Sequence, residues 1–572
     1  MSLQAHLESV IRRWLQATQL TVSGGPWVKA CQDERFGHFQ TNVAMPAGKS
    51  LKKNPRILAQ ELAQWFAADR DLAQVTIAGP GFVNFTFTPD AIARSLAALS
   101  ADPQLGVAPA LTVKKIVLDF SAPNVAKEMH VGHIRSTVQG EALARLLTAQ
   151  GHTVIRDNHL GDWGTQFGKI ILGYRRAGSP PLTVDGAMAE MERLYQETHR
   201  ACEADPALLE AARLELVKLQ QGDADSVALW QKFRALSQAA FDQIYARLGV
   251  RFDYTLAESF YNPWLNEVVD DLLAKGIARE DKGAVVVYFD EPELREHPFL
   301  IRKSDGASLY ATTDLATIRY RVAEFHADAL VYVTDGRQQL HFKQLFATAR
   351  RWGYPQELEH VWFGAITGSD HKPLKTRDGT PVKLRNLLDE AEARAAKILR
   401  EKRADIDDAK LREIARVIGS GALKYADQAQ NRNLDYVFDW DRMLAFDGNT
   451  APYLLNAYVR TRSILRKAPP SAAGATAAAP FLLREPAEQD LARKLLAFGD
   501  AVQTAAAEYR SHHVCNYLFE LAALFHRFFE HCPVLKADGD ELQASRLRLC
   551  QLTGDILKRG LWLLGIETVE EM

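Results

Sequence analysis

Apolar positions recur with two different periods along the chain, and the changes of period divide it. Leu3, Leu7, Val10 and Trp14 fall on one face of a helix, while Glu8, Arg12 and Arg13 break the apolar run that a secretion signal would need. Helical spacing continues to the turn Gly79-Pro80-Gly81, after which Val83 to Phe87 reads as a strand. A linker from Ser100 to Thr112 carries two prolines and leads into Lys114 to Phe120, a short apolar strand. The chain then turns through Ser121-Ala122-Pro123-Asn124 into a helical pattern from Ile134 to Leu147, followed by a second strand from His152 to Arg156. Strand, helix and strand in that order predict a parallel sheet.

From Val184 to Leu248 the pattern is helical and charged, which reads as an insertion between two halves of that sheet. Strand patterns return at Ala284 to Phe289, Ala329 to Thr334 and Val361 to Ala365, with helical stretches such as Leu315 to Phe325 between them. From Arg385 onwards the period stays helical. Leu491, Leu495, Phe498 and Val502 make one face, and Leu518, Leu521, Phe525 and Phe528 another. The expected fold is α/β and multidomain: an N-terminal α+β domain over 1–112, a Rossmann-like parallel-sheet core over 113–384 with the helical insertion at 184–248, a helical connecting region over 385–448 and an all-α bundle over 449–572. The run from Ala468 to Pro480 is low in complexity and is expected to be a surface loop.

Composition narrows the classes. With 572 residues, 47% of them hydrophobic and 24% charged, the chain is a set of ordinary folded domains, not a disordered or fibrous one. Its 69 basic and 71 acidic side chains give a formal charge of −2, so any polyanion must be met by local patches. Neither DNA nor a membrane is expected as a partner, and no run of 18 apolar residues occurs. The five cysteines are scattered with no CxxC pair, which points to a reducing, cytoplasmic setting and no protein metal site.

Two apparent nucleotide motifs do not hold up. Gly48-Lys49-Ser50 lacks the upstream glycine and strand of a phosphate loop, and Gly419-Ser420-Gly421 lies in helical sequence with Lys424 where a dinucleotide fingerprint needs its third glycine. Asn124 to His133 (NVAKEMHVGH) is different, because it leaves a strand and opens a helix. A helix start presents free N–H groups and a positive dipole end, and Gly132 lets an anion approach between His130 and His133. A surface coincidence or a metal pair competes with this reading. After the last strand pattern, Gly368 to Gly379 holds Lys372, Lys375 and Arg377 between glycines, as a loop closing over phosphates would. A solvated charge run is the alternative there. In the C-terminal part, Arg460, Arg462, Arg466 and Lys467 lie near Tyr453 and Tyr458, which suits RNA phosphates and an unstacked base as well as it suits a solvated helix face.

These segments together, with VIRDNHLGDWGTQFG, GASLYATTDLATIRYR, HKPLKTRDGTPVKL and FDGNTAPYLLNAYVRTRSILRKA, resemble class I arginyl-tRNA synthetases of the bacterial type over nearly the whole chain. His130 to His133 resembles the class I HIGH element, and the lysine loop resembles the KMSKS element with its second lysine replaced. The resemblance implies ligation of L-arginine to its tRNA through an arginyl-adenylate. ATP and Mg²⁺ would take part, the enzyme would be a monomer, and activation would occur only with tRNA bound. It implies that His130, His133, Gly132, Lys372 and Lys375 hold ATP, with Lys375 at the α-phosphorus and Lys127 supplying the missing charge. It further implies an arginine pocket of Asp119, Asn124, Tyr310, Asp314 and Gln338, with Asp119 standing where some relatives have Glu. For tRNA it points to Phe36, Phe39, Gln40 and Asn42 at the elbow and to Tyr453, Arg460, Arg462, Phe529 and Met572 at the anticodon. Two other functions fit less well. A different HxGH nucleotidyl transferase would lack the helical tail, and a non-catalytic relative would be expected to lose His130, His133 or Lys375.

Overall fold

The computed structural model describes residues 3–22, 24–31, 33–372, 374–375, 381–469 and 479–572. Helix α1 (Leu3–Ala17) buries Leu3, Leu7, Val10 and Trp14 as the spacing predicts. It packs on an antiparallel sheet of β1 (Val28–Ala30), β2 (Phe39–Thr41), β3 (Leu72–Ala78) and β4 (Phe82–Phe87), in the order β1-β2-β4-β3. Helices α2 (Ala44–Leu51) and α3 (Pro55–Trp65) connect β2 to β3, and α4 (Pro89–Ala101) leads away. The Gly48-Lys49-Ser50 triplet lies inside α2, so its N–H groups are spent on helix bonds.

The second region begins with β5 (Lys115–Phe120), α5 (Val131–Ala149) and β6 (Thr153–Asp157). These strands join β10 (Ala329–Val333) and β11 (Glu357–His360) in a parallel sheet ordered β11-β10-β5-β6. The order reverses between β5 and β10, which opens a crevice at their carboxyl ends, the place where α/β sheets bind ligands. The insertion is three helices, α7 (Val184–Ala204), α8 (Pro206–Gln220) and α9 (Ala224–Leu248), packed on α6 (Thr165–Arg176).

Two strand expectations change. The apolar run at Ala284 forms β8 (Ala284–Val287), but it pairs antiparallel with β7 (Arg279–Asp281) and β9 (Phe299–Arg302) in a separate three-stranded sheet. The two-residue turn Lys282-Gly283 allows only a hairpin there. The run from Val361 to Ala365 is not a strand, because β11 ends at His360; Val361 and Phe363 are apolar because they are buried in the core beneath the crevice. The small sheet shares a core with α10 (Leu265–Ala274), α11 (Tyr310–Ala323), α12 (Gln339–Trp352) and one face of the parallel sheet, from which Val117, Leu330, Tyr332 and Leu358 enter it.

Helices α13 (Leu384–Lys402) and α14 (Asp408–Gln428) form the connecting region. At their crossing a side chain on Gly419 would come within 2.7 Å of the Ala391 backbone, so this glycine serves helix packing rather than nucleotide binding. A short helix α15 (Trp440–Met443) follows, and the C-terminal bundle contains α16 (Ala451–Arg466) and the helices Pro486–Leu496, Phe498–Ala507, His512–His531 and Asp540–Leu563. Both predicted apolar faces are fully buried in it. Among the described residues no helix is long and apolar enough to cross a membrane.

Candidate active site

The turn after β5 is strained and over-determined. Ser121, Ala122 and Ala126 adopt φ values of +74°, +46° and +62°, a left-handed conformation that costs of order 1 kcal/mol or more at a non-glycine residue. The turn is held from several sides. Ser121 N–H donates to Ser136 at 2.8 Å, Ala122 N–H to Asn158 at 3.1 Å, and Ala126 N–H to Ser237 of α9 at 2.9 Å. The Ser121 hydroxyl meets Tyr245 of α9 at 2.8 Å. A side chain on Gly161 would collide with the Asn124 carboxamide at 2.3 Å, so glycine there leaves the exposed Asn124 room.

His130 caps α5 and His133 is on its first turn, with ring centroids 4.1 Å apart. Nδ1 of His130 accepts from Gly132 N–H, and Nδ1 of His133 accepts from His130 N–H, both at 3.1 Å. Burial lowers both pKa values, that of His133 to about 3, with the charges of Arg337 and Lys127 adding to the effect at His130. Both rings are therefore neutral at pH 7, with the proton on Nε2 because Nδ1 is an acceptor. They offer two N–H donors and no charge, so cations for a polyphosphate must come from elsewhere.

A cavity of about 590 Å³ begins at His130 and is lined also by Gly132, Arg135, Arg337, Phe363 and Lys375; His133 is not among its lining residues. Lys375 is exposed on the wall, where its backbone bridges to Pro381. Lys372 does not line the cavity; it is exposed in a turn, with its N–H on Asp370 at 3.1 Å. Thr376, Arg377, Asp378 and Gly379 lie outside the described residues. Arg337 was not apparent in the sequence. It is bound to Asp335 through two side-chain bonds of 2.8 and 2.9 Å, and its charge reaches His130.

The residues proposed for arginine lie on β5 (Asp119), in the turn after it (Asn124), on α11 (Tyr310 and Asp314) and just before α12 (Gln338). Tyr310 opens α11 and is 69% exposed, and Asp314 is one turn further along the same helix. One Asp314 oxygen accepts from His341 Nε2 at 2.6 Å. Gln338 is exposed at the start of α12. Asp119 is 6% exposed, and its Oδ2 accepts from Arg321 Nη2 at 2.6 Å. Arg321 is fully buried and also bonds Asp157 at 2.9 Å, so one oxygen of Asp119 is committed within the protein. Glu258 was missed, because no motif surrounds it. Burial raises its carboxyl pKa to about 7, with His159 lowering it and the charges of Asp314 and Asp162 raising it further. It faces the same space as Asp314 and Tyr310.

The candidate RNA contacts differ in availability. Phe36 is 53% exposed and Asn42 is exposed, whereas Phe39 and Gln40 are half-buried and Phe39 packs edge-on against Phe87. In the bundle, Arg460 stacks over the half-exposed Phe529 at 5.3 Å and bonds His526 at 2.9 Å, with Tyr453 beside the same histidine. Arg462 is paired with Glu570 at 2.9 Å, and Met572 is packed against the core.

Comparison with known proteins agrees with this layout. Three families match in sequence: the arginyl tRNA synthetase N terminal domain over residues 4–87, the catalytic domain of class I tRNA synthetases (R) over 96–440, and the DALR anticodon binding domain over 454–572. The arginine–tRNA ligase of Laribacter hongkongensis is 44% identical over 561 residues and covers 96% of each chain. That of Shigella sonnei is 43% identical over 582 residues, covering all of both chains. The crystal structure of the Plasmodium falciparum arginyl-tRNA synthetase superposes with a TM-score of 0.86 at 28% identity, over 100% of this chain and 99% of that one. The chain belongs to the class I arginine–tRNA ligase family.

Proposed function

We propose that the cavity at His130 holds ATP and that Asp314, Glu258 and Tyr310 hold arginine beside it, so that the substrate carboxylate attacks the α-phosphorus and pyrophosphate leaves. The observation that carries this reading is the start of α5, where the neutral His130 and Gly132 line a cavity walled also by Lys375 and Arg337, with the neutral ring of His133 stacked 4.1 Å behind that of His130. Donors fixed in advance cost no reorganisation when charge develops. His130 and His133 bind phosphate oxygens, Gly132 gives backbone access, Lys375 stabilises the pentavalent phosphorus and Lys127 adds charge from the other side. Lys372 guides the loop. Mg²⁺ arrives as the counter-ion of ATP, carried by phosphate oxygens.

A guanidinium is planar, delocalised and always charged, and it is best held by carboxylates that accept its N–H fork. Asp314 and Glu258 provide such oxygens, Tyr310 covers one side, and Asn124, Asp119 and Gln338 take the amino-acid end. The adenylate then passes to a terminal ribose hydroxyl of tRNA. The N-terminal domain over 1–112 touches the tRNA elbow through Phe36, Phe39, Gln40 and Asn42. The bundle over 449–572 reads the anticodon through Tyr453, Arg460, Arg462, Phe529 and Met572, with 385–448 connecting it to the core over 113–384. The enzyme works as a cytoplasmic monomer. Pyrophosphate exchange with each of the twenty amino acids, with and without total tRNA, tests the assignment: arginine alone should support exchange, and exchange with a different amino acid overturns it.

A further inference from the structure

Lys127 has an uncommon holder. Its ammonium is 5.1 Å from the ring centroid of Tyr195, and it makes no ion pair among the described residues. Tyr195 belongs to α7, the first helix of the insertion. The tyrosine ring is itself braced: it stacks on His199 at 5.7 Å with an interplanar angle of 5°, and His199 Nδ1 is 2.6 Å from Lys169 Nζ of α6. The same face of α7 carries Glu192, whose carboxylate is 3.9 Å from Lys383 Nζ. Lys383 also pairs with Glu128, next to Lys127 in the chain. Backbone bonds of 2.8 Å from Val131 N–H to Val382 and from Leu384 N–H to Met129 tie the exit of the lysine loop to the same turn. Helix α7 therefore touches both chain segments that bring lysines to the phosphate site.

An aromatic face attracts an ammonium without cancelling its charge, whereas a carboxylate would neutralise it. Lys127 held by Tyr195 keeps its full positive charge for the transition state, and that charge is already felt at His130. We propose that Tyr195 is a positioning residue for adenylate formation, and that the insertion exists in part to present it. The inference rests on the reading of Lys127 as a phosphate-facing cation.

A double-mutant cycle separates the two. Tyr195→Leu removes the π face and Tyr195→Phe keeps it; each is made in the native chain and with Lys127→Met. Activation is followed by pyrophosphate exchange at saturating cognate tRNA, with thermal unfolding as the control for folding. A cation–π contact is worth roughly a 2- to 30-fold effect on rate, so Tyr195→Leu should lower kcat within that range while leaving the KM for arginine unchanged. Tyr195→Phe should restore the native rate, and Tyr195→Leu should add nothing once Lys127 is Met. An equal loss from Tyr195→Leu in both backgrounds, or failure of Phe to rescue, overturns the role of Tyr195. A native rate in Lys127→Met alone overturns instead the reading of Lys127 on which the inference stands.

Discussion

Arginine affinity should depend on pH through Glu258. In the free enzyme, burial together with the charges of Asp314 and Asp162 raises this carboxyl to about 7 against the pull of His159. The substrate guanidinium stays charged at every accessible pH, so it selects the ionised form of Glu258. Apparent affinity is scaled by the fraction of enzyme in the competent state, which is about one-tenth at pH 6 and about nine-tenths at pH 8 for a group titrating near 7. The sign follows directly. A carboxyl raised in the free enzyme is protonated at low pH, so affinity is lost as pH falls through 7, and arginine binding releases a proton. The KM for arginine should fall about tenfold from pH 6 to pH 8, measured by pyrophosphate exchange at saturating ATP and tRNA, while the KM for ATP serves as the internal control. Glu258→Gln should raise the KM and flatten its pH dependence. A flat profile in the native enzyme, or the same slope in Glu258→Gln, refutes the assignment.

Lys375→Ala should slow activation roughly 100- to 1000-fold with little change in the KM for ATP, because the lysine acts on charge that develops in the transition state; a native pre-steady-state rate would remove Lys375 from the chemistry. Breaking a fully buried charge pair costs roughly 3 to 5 kcal/mol, and the Asp314 side chain retains 22% of its exposure, so about 2 to 3 kcal/mol is appropriate. Asp314→Asn should therefore lower kcat/KM for arginine roughly 30- to 150-fold, leaving ATP binding intact. Gln139→Leu should reduce the stimulation of exchange by cognate tRNA roughly fivefold or more at an unchanged Kd for that tRNA, and full stimulation would show that the contacts of Gln139 carry no coupling.

Sequence periodicity revealed the elements that bury one face. The turn NVAKEMHVGH was legible for the same reason, since a strand, a turn and a helix start fix where an anion can approach. What escaped it depends on non-local packing. The Ala284 strand has the composition of a buried parallel strand, and only its hairpin partners assign it to the antiparallel sheet. Glu258 and His341 sit in no motif, and Arg321 only closes one; each is defined by what folding brings beside it. Arg321 shows the cost of reading a residue type alone, because Asp119, read as a pocket carboxylate, already holds a protein guanidinium. Charge counting along α16 alone also leaves out the partner that folding supplies, since Arg462 is paired with Glu570.

The dependence of activation on tRNA that the family resemblance implies has a physical route in this fold. Ser511, buried just before the bundle helix His512–His531, donates to the Gln139 side-chain oxygen at 3.1 Å. The Gln139 amide donates to Asp427 of α14 at 2.7 Å, and Asp427 accepts from Arg135 at 2.9 Å. Arg135 in turn donates to the carbonyls of Gly364 and Leu434 at 2.6 and 3.1 Å, at the wall of the phosphate cavity. All four side chains in this chain of bonds are at most 2% exposed, and a buried polar group that loses its partner is left without water to replace it. The bundle therefore cannot shift at Ser511 relative to α5 without breaking the Ser511–Gln139 bond or pulling on Gln139 and its bond to Asp427. Arg135 and His130 lie on the same helix start, so a shift there moves the phosphate donors with it. A tRNA that grips both the bundle and the active site changes activation only to the extent that it binds one arrangement of this network more tightly than the other. On that reading, anticodon contacts far from the phosphates would act on chemistry through that differential, with Gln139 as one bond through which the bundle meets α5.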